Sequence, residues 1–124
     1  MGRTRKTSKA KAEILIEGLD DSIGIWEIAA VVRGEIPRPD GSEVRAASLE
    51  IVRDVLEEGL MRPGFPTREG SFEVLRKTPG ETMERVEREW DELGRDPDVG
   101  EGIWFDLTEK GEKYAKTLSQ NSIQ

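Results

Sequence analysis

Ile103-Trp104-Phe105-Asp106-Leu107-Thr108-Glu109-Lys110-Gly111-Glu112-Lys113-Tyr114-Ala115 changes period in its middle. Ile103, Phe105 and Leu107 alternate with Trp104 and Asp106, the period of two that marks a strand. Beyond them Gly111, Tyr114, Ala115 and Leu118 recur at helical spacing and form an inward face. Thr108 stands at the join as N-cap. A glycine inside a helix costs about 1 kcal/mol relative to alanine. Gly111 therefore implies a close approach of this helix to the strand or helix beneath it.

Such a strand needs a partner, and the chain offers one upstream. Leu60–Phe65 reads as a short strand, with Pro63 restricting it to an edge or an irregular end. The Leu60–Gly64 and Ile103–Leu107 segments are expected to pair antiparallel.

Three helices precede this pair. The first starts with Ser8 as N-cap, turns Ala12, Leu15, Ile16 and Leu19 inward, and stops at Gly18. Asp20-Asp21-Ser22 make a turn. The second runs from Ile25 to Arg33, with Ile25, Ile28, Ala29 and Val32 inward and Gly34 ending it. Trp26 sits off that stripe and reads as half-buried packing. Pro37 and Pro39 stiffen the connector Glu35–Ser42. Asp40 with Glu43, or Ser42 alone, caps the third helix. Its inward face is Val44, Ser48, Ile51, Val52 and Val55, and Gly59 closes it.

About 35 residues separate the two strands. Ser71–Lys77 has strand character with imperfect alternation. Thr78-Pro79-Gly80-Glu81 is a clear helix start: Thr caps, Pro occupies the first turn, and Glu closes the box. The helix, residues 79–93, carries Met83, Val86, Trp90 and Leu93 along one side. Glu81 with Arg85 and Glu84 with Arg88 are expected to pair on its outer side, and Gly94 ends it.

Leu56-Glu57-Glu58-Gly59-Leu60-Met61-Arg62 resembles the end of a recognition helix entering a first wing strand. Trp104 to Tyr114 resembles the second wing strand running into the next helix. Both are similar to bacterial PadR-like and MarR-like winged-helix regulators, in which a Leu-Thr-x-x-Gly turn recurs. The resemblance implies a single α+β winged-helix domain over residues 8–118. It has three helices, antiparallel wing strands, an extra helix inserted in the wing (66–101) and a C-terminal helix. Residues 1–7 are expected to form a basic flexible tail and 119–124 a frayed end. In the regulators it resembles, the third helix enters the DNA major groove.

Composition removes much chemistry. The chain has 124 residues, about one domain. It has no cysteine and no histidine, so disulfides, thiolate or imidazole metal sites and Ser-His-Asp catalysis are excluded. No apolar run approaches the roughly 18 residues of a membrane span, and the basic start lacks the apolar stretch of a secretory signal. A cysteine-free, signal-free chain reads as cytoplasmic. Phosphate-binding glycine motifs are absent. Asp96, Asp98 and Glu101 suggest a fragment of a calcium loop. Counted from Asp96, however, glycine falls fifth and Leu107 stands where the bidentate Glu is required, so a solvated acidic loop is expected. No cofactor, metal or small-molecule ligand is inferred, and nothing marks a catalytic pair.

Charge is unevenly placed. The net is -7 from 19 basic and 26 acidic residues. The first eleven residues hold Arg3, Arg5, Lys6, Lys9 and Lys11 and no acid, leaving 14 basic against 26 acidic residues afterwards. The third helix carries Arg45 and Arg53 against Glu43, Glu50, Asp54, Glu57 and Glu58, which is poor provision for phosphate contacts. The reading is a non-catalytic regulatory or interaction module that binds a protein partner or a second copy. The Trp90, Val86 and Met83 face is the candidate interaction surface, or else it packs on its own sheet or on the first helix. The alternative is a DNA-binding transcriptional regulator using the third helix, Arg38, Arg45 and the basic arm Arg3, Arg5, Lys6, Lys9 and Lys11.

Overall fold

The computed structural model describes residues 5–122, with side chains from Thr7 to Gln120. Its order is α1 (Arg5–Glu17), β1 (Ile23–Gly24), α2 (Ile25–Glu35), α3 (Gly41–Glu57), β2 (Met61–Pro66), β3 (Phe72–Val74), α4 (Pro79–Leu93), β4 (Trp104–Leu107) and α5 (Glu109–Ser122). The described residues thus form an α+β fold of five helices and a small antiparallel sheet in the order β1-β4-β2-β3. No helix among them is long and apolar enough to cross a membrane.

The central pairing is the expected one. Met61 faces Leu107, Arg62 faces Asp106, Pro63 faces Phe105 and Gly64 faces Trp104. Opposite charges meet across the register, with Arg62 and Asp106 at 3.0 Å. The two-residue β1, within the segment between the first two helices, adds to the other side of β4 through Ile23↔Phe105 and Gly24↔Trp104. Strand character at Ser71–Lys77 reduces to the three residues of β3.

Pro63 lies in an internal strand and not at a sheet edge; of the two placements the sequence allows, it takes the end of a ladder, that of β2 with β3. Its carbonyl accepts from Leu75 N at 2.8 Å, so its backbone faces the β3 side. Pairing with β3 begins only at Gly64. The missing N–H therefore falls where the ladder has ended, and Arg62 and Gly64 face β4 instead. Gly64 is required for a different reason: a Cβ there would overlap the Glu73 carbonyl and the Phe72 ring.

Helix ends follow local chemistry, with three shifts. α1 starts at Arg5, ahead of the expected Ser8 cap, and Thr7 is buried rather than part of a loose tail. The inward face of α1 is Ala10, Ile14 and Leu15, while Ala12 and Ile16 are half-buried. α2 passes through Gly34 and stops at Glu35, because Pro37 forces Ile36 into an extended conformation (φ -105°, ψ 118°). α5 continues past Leu118 to Ser122, and its Tyr114 is 44% exposed instead of inward. Asp40 is the cap of α3, its carboxylate accepting from Glu43 N at 2.9 Å and Ser42 Oγ at 2.7 Å. The Thr78–Glu81 box forms in both directions, at 3.1 and 2.9 Å, and Gly94 ends α4 in the left-handed region.

The core lies between the helices and one side of the sheet. Ile14, Ile28, Ile51, Val52, Val55, Ile103 and Phe105 are fully buried in it. The outward side of the sheet carries Trp104, which meets Trp26 edge-on at a centroid distance of 6.3 Å. That contact accounts for the half-buried Trp26.

Candidate functional site

α4 lies against α3. Met83, Val86 and Trp90 are each no more than 4% exposed, within the same apolar cluster as Ile51, Val52 and Val55. The expectation that these three residues offer a partner-facing surface is therefore corrected: the chain itself covers them. The stripe is buried within the chain, as the other reading expects, with α3 as its principal cover rather than the sheet or α1. Burial of the stripe follows from its area, since a Trp and two aliphatic side chains left in water would forfeit several kcal/mol. Glu81 serves the helix cap, so Arg85 pairs with Glu89 at 3.0 Å instead, and its guanidinium lies 5.3 Å from the Phe65 ring centroid.

Docking of α4 also fixes the electrostatics of α3. Arg45 meets Asp91 at 3.0 Å, and Arg53 meets Glu87 at 3.9 Å. Both arginines of the helix thus face carboxylates of α4, Arg45 closely and Arg53 in a loose, exposed pair. Glu43 and Glu57 are exposed, and Glu50 and Asp54 are half-exposed. The outer side of α3 is acidic, and a phosphate approaching it meets repulsion.

The basic candidates do not gather into one surface. Arg3 lies outside the described residues, as do the side chains of Arg5 and Lys6. Lys9 reaches Glu35 at the end of α2 at 3.6 Å. Lys11 is largely covered, and its ammonium donates to Glu58 beyond the other end of α3 at 2.6 Å. Arg38 is exposed between Pro37 and Pro39, in the left-handed region with φ 51°. Arg45 and Glu58 are separated by about 20 Å along the helix axis at 1.5 Å per residue.

The 95–101 loop spends its acids on internal contacts. Arg95 clamps Glu101 through two bonds of 2.8 and 2.9 Å, and Glu101 also accepts from Asp98 N at 2.7 Å. The guanidinium, then the backbone N–H, hold the Glu101 carboxyl down to about 2. Asp96 pairs with Arg33 of α2. Among the described residues no group of three or more carboxylates could hold a metal ion.

One cleft went unnoticed in the sequence. Where α1, α2 and the start of α3 meet, a cavity of about 290 Å³ is lined by Thr7, Ala10, Val32, Ile36, Ala46 and Ala47, with Glu35, Glu43 and Glu50 at its sides. The sequence signal was the Ala46-Ala47 pair, which sets small side chains where α3 otherwise carries larger ones. No family model, curated protein or solved structure matches this chain.

Proposed function

We propose that this chain is a non-catalytic winged-helix module that acts in the cytoplasm by binding a protein partner. The fold reading is supported by the order of elements. Two helices flank a short strand, a third helix follows, and the strand leaving it pairs with a returning strand that runs straight into the last helix. Residues 66–101 then correspond to a wing enlarged by β3 and α4.

One observation carries the choice of partner: the helix that would enter a major groove presents Glu43, Glu50, Asp54 and Glu57, and its two arginines lie beside carboxylates of α4, Arg45 at 3.0 Å from Asp91 and Arg53 at 3.9 Å from Glu87. DNA affinity rests largely on neutralised phosphates and released counterions, and this helix supplies neither. The test is anisotropy of a labelled mixed-sequence duplex at ~50 mM salt, where charge effects are strongest. No saturable binding is expected. Saturable binding that weakens steeply with salt would overturn the reading in favour of a DNA-binding regulator.

A further inference from the structure

We infer that the cleft between α1, α2 and α3 docks a short basic amphipathic segment of a partner protein. An apolar side chain of that segment enters the cavity, and its Lys or Arg side chains meet Glu35, Glu43 and Glu50. The inference deepens the protein-binding reading above and rests on it.

The cleft exists for reasons visible in the chain. Pro37 stops α2 at Glu35 and leaves Ile36 extended, so no further helical turn follows there; Val32 and Ile36 line the floor of the cleft while keeping only 1% and 7% of their surface exposed. α3 faces that floor with Ala46 and Ala47, whose short side chains do not fill the gap. A volume of about 290 Å³ is just under the small end, ~300 Å³, of ligand pockets. It suits one or two apolar side chains.

The sides of the cleft define the charge of the occupant. Three carboxylates border an apolar floor, so an anion is repelled, and a neutral apolar molecule would desolvate the acids without pairing them. A cation beside an apolar group answers both requirements. Among the described side chains, neither Glu43 nor Glu50 has a cation within ion-pair distance. Glu35 has Lys9 at 3.6 Å, but that lysine is 72% exposed, and such surface pairs exchange readily. Crowding of acids continues along α1: Glu13 is raised above its ordinary value by desolvation, then by the charges of Glu35 and Glu17.

The test uses the full chain and a fluorescein-labelled helical peptide. The peptide carries Leu at i, i+3, i+4 and i+7 and Lys at its other positions. A control peptide has Glu in place of every Lys. Saturable binding of the basic peptide is expected, with amide shifts in a ¹⁵N spectrum centred on Ile36, Ala46 and Ala47. Glu43→Lys with Glu50→Lys should weaken it roughly tenfold, as the loss of two rim charge contacts and their reversal implies. Ala47→Leu, which fills the cavity, should weaken it as well; its folding is checked by its unfolding curve, and the charge reversal tests the site independently. Equal affinity of the charge-reversed variant, or equal binding of the Glu peptide, would overturn the inference. So would no binding of the basic peptide. Peptide shifts confined to another surface would remove the cleft but leave the protein-binding reading standing, whereas duplex binding with no peptide binding would remove both.

Discussion

The backbone of Leu60 lies so close beneath Gly111 that a Cβ on residue 111 would overlap the Leu60 carbonyl. Around this contact the start of α5 satisfies the end of α3. Thr108 N donates to Leu60 O at 3.0 Å, Thr108 Oγ1 to Gly59 O at 2.6 Å, and the Lys110 ammonium to Glu58 O at 2.7 Å. The carbonyl at the C-cap of α3 is thereby paired with a cation, and those of the two residues after it with Thr108.

Replacing Gly111 should reverse a usual preference. In an open helix Gly→Ala stabilises by about 1 kcal/mol. Here Gly111→Ala must push α5 off the Leu60 carbonyl, and a net loss of roughly 1–3 kcal/mol is expected, as for other overpacked sites. Urea unfolding measures it, and a stabilised variant would contradict the contact.

Trp90→Ala should destabilise the chain by ~3–5 kcal/mol, the usual cost of truncating a fully buried Trp. A companion variant with Trp26 and Trp104 changed to Phe isolates the emission of Trp90. A blue-shifted spectrum protected from quencher in dilute solution is expected. Full quencher access would mean that α4 does not lie on α3.

Ser48 is fully buried on α3, and its hydroxyl has no hydrogen-bond partner among the described residues. A buried hydroxyl without a partner costs free energy, and Ala is also the better helix former. Ser48→Ala should therefore raise stability, by about 1 kcal/mol. A clear loss in chemical denaturation would show that the hydroxyl is engaged.

The Arg95 clamp predicts an acid limb to the stability profile. The Glu101 carboxyl sits at about 2, below its ordinary 4.5. A depressed carboxylate stabilises the fold above its unfolded value, and that contribution is lost as pH falls from about 4.5 toward 2. A side-chain NMR titration should place the Glu101 midpoint near the lower value. Glu101→Gln should flatten the limb between the two. An ordinary midpoint would mean that the clamp is not formed in solution.

Local chemistry was the legible part of the sequence. The Thr78–Glu81 box and the Asp40 cap, one of two caps the sequence offers, depend on residues close in sequence, while the two strand segments and the close approach at Gly111 showed in the period, without their register or the Leu60 contact. What escaped depends on contacts between distant segments. β1 is two residues long and exists because β4 passes beside it. Gly34 is a poor stop signal when Pro37, three residues on, ends the helix at Glu35. The Met83–Trp90 stripe showed an apolar helix face, but nothing in it could say whether a partner or the chain itself covered it, or that α3 was its cover. The cleft was hidden for the same reason, since Thr7, Val32 and Glu50 come from three helices and form no motif along the chain.

The central claim is that the outer side of α3 refuses nucleic acid and that the cleft between α1, α2 and α3 accepts a cationic protein segment. One ¹⁵N-labelled sample, titrated at ~50 mM salt first with a DNA duplex and then with the basic amphipathic peptide, tests it most directly. The account predicts an unchanged spectrum with duplex, then saturable shifts at Ile36, Ala46 and Ala47 with peptide. Saturable shifts along Glu43–Glu57 with duplex, and none with peptide, would contradict it.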